Sequence, residues 1–406
     1  MKQKIGKWMI RRPAKEPVEG IRNAYYERIS ERLGILQVIV YLSLFAFVIL
    51  SFLGNTELIT YQNFYHFFKD LNASAESVDV LNTDAVSYPT DTEQSFTLYR
   101  QGLAVAGNHS VTAFTAAGRQ SISETVSYRH PVAVGTGKYL LVYELGGKQY
   151  SLYNSYTRVY EGETSYPITG AAVSDSGMYA LISSSQDYTS EVYLYNNSFV
   201  MLNRFARSGY VTNVAINEKG TLLAMLTSKT QNGFFATELA ICEPGATSYK
   251  ATVDVDQSRG LACVFTSGTT VSVLTGQGVY SFQQNGKSLN AFSFDGMILS
   301  CADASRDGIT VSLRSSVMSA QDRVILFDKQ GRVLHEKTVT EGITQISRSG
   351  NTAYLLSSNG IRALDGDNGR TSFSQMETDQ RVLLAVNESE ILLCTSKKAS
   401  YIKLFD

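Results

Sequence analysis

From residue 98 onward the chain repeats one unit: a short strand-forming run, a turn, then a second apolar run. The unit reads LYRQGLAVAG around Gly102, VAVGTGKYLLVY around Gly137, AVSDSGMYALIS around Gly177 and VAINEKGTLLAML around Gly220. It continues as CVFTSGTTVSVL around Gly268, CADASRDGITVSL around Gly308, ISRSGNTAYLL around Gly350 and AVNESEILLCT, where Ser389 replaces the glycine. Successive turns stand 35, 40, 43, 48, 40, 42 and 39 residues apart. Runs of Val, Ile, Leu, Tyr, Phe and Thr broken by Gly, Asn, Asp and Ser are strand-and-turn chemistry. Eight units of about forty residues predict an all-β fold, a β-propeller with four strands per blade. Seven blades would result if the first unit were not a blade. Two β-sandwich domains are the alternative architecture, but sandwiches do not require an even period.

Second turns follow within many units, at Gly118, Gly245, Gly286, Gly331 and Gly369. They fit the hairpin between a blade's two outer strands, where positive φ is needed. The eighth unit supplies only three strands before the chain stops. An early strand, SVDVLN from Ser77 to Asn82, has no blade of its own. The expectation is that an N-terminal strand completes the last blade and removes its exposed edge, giving a propeller over residues 77–406.

The N-terminal region is of another kind. From Ile35 to Leu53 run nineteen residues without a charge, enough for a helix of roughly 28 Å, about the thickness of a bilayer's hydrocarbon core. Residues 1–34 hold nine Lys/Arg against four Glu, and no positive excess follows the span. The positive-inside rule then predicts a cytoplasmic tail at 1–34, a transmembrane helix at 35–53 and a large domain outside the cell membrane. A cleaved signal peptide is the rival reading, opposed by the long leader and the lack of a small-x-small site near Ser51 to Gly54. Residues 55–71 place Leu58, Tyr61, Phe64, Tyr65, Phe68 and Leu71 on one helical face. That face suits either the membrane interface or the flank of the β domain.

The hairpins GVYSFQQNGKSL, RVILFDKQGRVLHE and GIRALDGDNGRTSF resemble quinoprotein-type repeats, and units with Asp-Ser-Gly or Arg-Asp-Gly turns resemble WD40 repeats. Neither hallmark is present: no Trp-Asp pair occurs, and the single tryptophan is Trp8. The whole layout, including LITYQNFYHFFKDL, resembles a bacterial family of single-pass membrane proteins with a propeller ectodomain. That resemblance implies a cell-membrane location and carries no assigned activity.

Residues 35–406 carry a formal −6, with 27 basic residues facing 33 acidic, which argues against nucleic acid as a partner. Four histidines (His66, His109, His130 and His335) include no pair at zinc-binding spacing. The run from Asp365 to Gly369 resembles the start of a calcium loop, but Met376 stands where the bidentate Glu belongs, so a hairpin turn is expected. Cys242, Cys263, Cys301 and Cys394 lie in apolar runs and read as buried thiols, with disulfides as the alternative. Asn72, Asn108, Asn196 and Asn387 match the N-glycosylation pattern, which has meaning only in a eukaryotic secretory protein. No nucleophile elbow or phosphate loop occurs, so no catalytic, cofactor or metal residue is assigned and no cofactor is expected.

The expected function is a membrane-tethered scaffold that docks an envelope protein or polymer, with the lipid bilayer as its other partner. A ligand-sensing receptor and an enzyme using the propeller channel are the alternatives. An enzyme predicts His, Asp, Glu or Arg converging at one channel mouth. A scaffold predicts a broad exposed aromatic or apolar patch on a blade face or rim.

Overall fold

The computed structural model describes residues 33–34, 36–45, 85–154, 157–231, 233–376 and 382–404. Two compact units divide the chain, residues 1–68 and 69–406. In the first, residues 36–45 form helix with Leu36, Val38, Ile39, Leu42 and Phe45 exposed. Among the described residues no helix is long and apolar enough to cross a membrane. Ile35, the rest of the predicted span to Leu53, the 55–71 segment, His66, Asn72 and the predicted strand at Ser77 to Asn82 lie outside the described residues.

The second unit is an eight-bladed propeller. Each blade is a four-stranded antiparallel sheet. Blades 1 to 7 are built from consecutive strands within residues 94–125, 131–163, 168–207, 210–256, 260–293, 298–339 and 343–375. Blade 8 takes three strands from residues 382–403 and its outermost from the N-terminal side, Ala85–Ser87. Closure by an N-terminal strand therefore occurs, but with a later and shorter strand than SVDVLN. Ala85, Val86 and Ser87 pair with Ser400, Ala399 and Lys398.

Why the middle strands are so apolar follows from the packing. Both faces of every blade are covered by neighbours, so second strands such as Gly102–Gly107, Thr270–Thr275 and Thr352–Ser357 are buried along their whole length. Fourth strands such as Thr371–Gln375 alternate exposed and half-buried residues. Apolar side chains collect in eight clusters, one at each junction between blades. The cluster joining blades 8 and 1 includes Val86, Tyr88, Leu103, Phe114, Leu392 and Cys394. Each fully buried aliphatic side chain contributes about 1.5–3 kcal/mol. The four cysteines are free thiols; burial pushes them up, to about 11 at Cys301 and about 12 at Cys242, Cys263 and Cys394.

The first strands of successive blades touch one another around the whole ring. Their inward edges need partners for backbone N–H groups. In four junctions a side chain of one first strand accepts from the backbone of the next. Ser95 and Thr97 accept from the N–H groups of Ala133 and Gly135 at 3.1 and 3.2 Å. Asn213 serves Cys263, Asp303 serves Arg348, and Gln345 and Ser347 serve Leu383 and Ala385. These pairs advance together along the chain, so neighbouring first strands run parallel. One face of the disc consequently gathers every first-to-second and third-to-fourth turn (the turn face). The other gathers the second-to-third hairpins and the connections between blades (the loop face).

Candidate functional site

The turn glycines sit on the turn face between the first and second strands of blades 1 to 7. Gly102 and Gly308 open second strands, Gly137, Gly177, Gly220 and Gly268 lie in the connections, and Gly350 follows the first strand of blade 7. Gly308 shows why side chains are excluded: its φ is 129°, and a Cβ there would meet the Phe327 carbonyl oxygen at 2.3 Å. In blade 1 the positive φ falls instead on Arg100 and Gln101.

These turns are tied to one another. Arg100 N–H donates to the Thr136 carbonyl, Gly137 N–H to Asp175 at 2.8 Å, and Asn217 Nδ2 to the Gly268 carbonyl. Further round, Gly350 N–H donates to Asp307 and Asn351 N–H to Glu388. One bond leaves this circuit: Arg306 of blade 6 donates to Asp175 of blade 3 at 2.9 Å, bridging the mouth of the central channel. Charged groups do meet at this mouth, but as a pair that satisfies itself. Burial alone would raise the Asp175 carboxyl; the Arg306 guanidinium and the Gly137 N–H together hold it below its ordinary value.

The other chemistry expected of single residues resolves into structure. His109 and His130, each on the loop face, bond Asp91 and Glu93 at 2.9 and 2.8 Å, pinning the segment that follows the closing strand. Neither pair was visible in the sequence, because the carboxylates lie 18 and 37 positions away. Asp365 to Gly369 forms the outer turn of blade 7, with Asp365 accepting from the Asp367 N–H. The Asn108 side chain bonds three backbone groups, including the Tyr128 carbonyl, and Asn196 and Asn387 brace turns. Among the described residues no cluster of His, Cys, Asp and Glu could hold a metal ion.

The loop face carries what the sequence did not single out. In blade 4 the strands Leu223–Gln231 and Phe234–Cys242 are nine residues each, against five to seven in the other blades' middle pairs. The first strand of blade 4 pairs no further than Ser228 and the fourth no further than Thr237. The hairpin end therefore stands about 7–10 Å clear of the disc. It holds Phe234 and Phe235, 68% and 58% exposed. Tyr210, 71% exposed, begins the same blade, and Tyr188, 51% exposed, lies in the adjoining hairpin of blade 3. The Asn-Gly turn in TSKTQNGFFATEL was the available signal for this hairpin.

Beside these aromatics lies an open groove of about 460 Å³, lined by residues 185–189, Ser208 and Tyr210. Its floor is held from beneath. Fully buried Glu191 accepts from Arg204 Nε and Nη2 at 3.0 and 2.7 Å, from Tyr193 at 2.5 Å and from Ser185 at 2.8 Å. The Arg204 bonds, with Tyr193 and Ser185, outweigh burial and bring the Glu191 carboxyl down to about 2. Ser185 Oγ in turn accepts from the Tyr188 N–H, and Thr189 donates to the Ser208 carbonyl. The loop is thus set by a network that faces inward, while its rings face out.

The closed ring of four-stranded blades, with hydroxyl- and carboxylate-tied turns and an aromatic loop face, defines an eight-bladed β-propeller. The chain belongs to DUF5711, a family of unknown function whose model matches residues 72–404. No curated protein matches it. Among solved structures it is similar to BamB from Moraxella catarrhalis, with 11% identity, a TM-score of 0.53, and 79% of this chain and 99% of that one covered. It is similar also to Sqt1 from Chaetomium thermophilum bound to the N-terminus of ribosomal protein L10, with 11% identity, a TM-score of 0.52, and 79% and 98% covered. A eukaryotic initiation factor gives 12% identity, a TM-score of 0.52, and 77% and 83% covered. At these identities the likeness establishes the fold.

Proposed function

We propose that this protein is a membrane-anchored, extracytoplasmic scaffold that docks an envelope protein on its loop face. The observation that carries the reading is the group of four large aromatic side chains, Tyr188, Tyr210, Phe234 and Phe235, standing at least half exposed on adjoining blades. Exposed aromatics gathered on one rim mark an interaction surface, since each offers large contact area at small entropic cost. Sqt1 bound to the N-terminus of L10 illustrates a propeller of similar fold holding a polypeptide segment. Anchoring rests on the uncharged run at 35–53 between a basic leader and a sequel without positive excess. The chain enters the propeller at the turn-face end of Ala85–Ser87, so the loop face is the one remote from that point.

The test is proximity labelling in the native host with the labelling enzyme fused after Asp406. A short, reproducible set of envelope proteins, lost when Phe234→Ser and Phe235→Ser are combined, is expected. A set unchanged by that double substitution would remove the loop face from the function.

A further inference from the structure

We propose that the groove beside Tyr188 and Tyr210 receives a cationic group, an amino terminus or a Lys or Arg side chain, of the docked polypeptide. This rests on the docking reading above and specifies its chemistry.

Three features of the groove lead there. Asp187 is the one charged side chain in its lining. The nearby positive charges are already spent: Arg204 holds Glu191 with two bonds, and Arg207 is bonded to Glu238. The hydroxyl protons of Ser185 and Thr189 are already engaged, by Glu191 and by the Ser208 carbonyl. Toward a ligand these hydroxyls serve only as acceptors, Ser185 with the lone pair that the Tyr188 N–H does not occupy. Gln186 accepts from the Tyr166 hydroxyl, so its amide N–H groups, with the hydroxyls of Tyr188, Ser208 and Tyr210, are the neutral donors of the lining.

The rings complete the site. Tyr188 and Tyr210 both line the same space, and a tyrosine ring attracts an ammonium or guanidinium group placed over its face. Because the hairpin is anchored through Ser185 to buried Glu191, the groove is formed before a partner arrives. An anion would meet the Asp187 carboxylate with no lining cation to offset it. The Phe234–Phe235 crest beside the groove would take the apolar residues that flank the cation.

The test uses the full chain in lipid nanodiscs and a displayed random dodecapeptide library as the probe. Selected peptides are expected to carry Lys or Arg next to apolar residues, or to depend on a free amino terminus. Asp187→Asn should weaken their binding about tenfold while the thermal transition is unchanged. Synthetic versions with an acetylated terminus, and with Lys or Arg replaced by norleucine, separate the two sources of charge. Peptides that bind Asp187→Asn as well as the parent, or that lack any cation, overturn this inference. If such peptides still fail on Phe234→Ser with Phe235→Ser, docking on the loop face stands and only its cation chemistry falls. A library that yields no loop-face binder overturns both.

Discussion

Arg306 donates to Asp175 across 2.9 Å, although the residues stand 131 positions apart on blades 3 and 6. Asp175 also receives the Gly137 N–H, so one carboxylate links three blades. The Arg306 side chain is half exposed, so the ion pair itself is worth about 1 kcal/mol or less. Asp175→Ala should therefore lower global stability little but speed hydrogen exchange in the 136–138 turn, whereas Arg306→Ala should leave that turn nearly as protected. The stabilisation from Asp175, whose carboxyl is held low, is present above the ordinary carboxylate range and fades as pH falls through its depressed value. Exchange mass spectrometry at two pH values checks both statements.

Asp303 behaves in the opposite sense. Burial between the first strands of blades 6 and 7 pushes it up to about 7, with Asp307 adding to the rise and Arg348 opposing it. A carboxyl raised on folding costs stability as pH climbs from the unfolded value near 4 toward 7, and the loss then levels off. Asp303→Asn keeps an oxygen for the Arg348 N–H and removes the charge. It should stabilise the propeller by about 2 kcal/mol at pH 8 and much less at pH 4. Denaturant midpoints across that range decide it, and parallel curves for parent and variant would reject the assignment.

Two glycines of the first-to-second turns should respond differently to alanine. Gly308 has positive φ and a carbonyl where Cβ would sit, so Gly308→Ala should cost about 2–4 kcal/mol. Gly268 has open space around it, and Gly268→Ala should lie within about 0.5 kcal/mol of the parent. Urea unfolding of both variants separates a steric role from a merely repeated residue.

The proposed topology predicts opposite outcomes for reporters inserted at residues 20 and 90. A reporter active only outside the cytoplasm should work at 90 and fail at 20. Activity at 20 would place the basic leader outside and overturn the orientation.

The blade count was readable because a tight turn repeats its chemistry wherever it occurs: Gly177, Gly220, Gly308 and Gly350 all need positive φ. The closing strand was misplaced because SVDVLN offers six residues of strand chemistry, whereas Ala85–Ser87 offers three. What selects the latter is the slot beside Lys398–Lys403, a non-local fact. The pair Asp175–Arg306 and the His109–Asp91 bond have the same cause: ring closure brings together residues that no period connects. Tyr188 and Tyr210 were likewise hidden among 24 tyrosines, twelve of which are half-buried or buried residues of the described strands, such as Tyr193, Tyr195 and Tyr280.

The three-residue strand that closes the ring also fixes how the molecule bears a pull. A pull along the axis of Ala85–Ser87 would shear its pairs with Ser400, Ala399 and Lys398 together, whereas a pull across the sheet would peel them one at a time. Beyond them the load passes through Tyr88, whose hydroxyl and N–H hold the Thr395 and Lys397 carbonyls. The ring's closure thus resists a pull along that strand better than one that lifts the strand from the edge of blade 8.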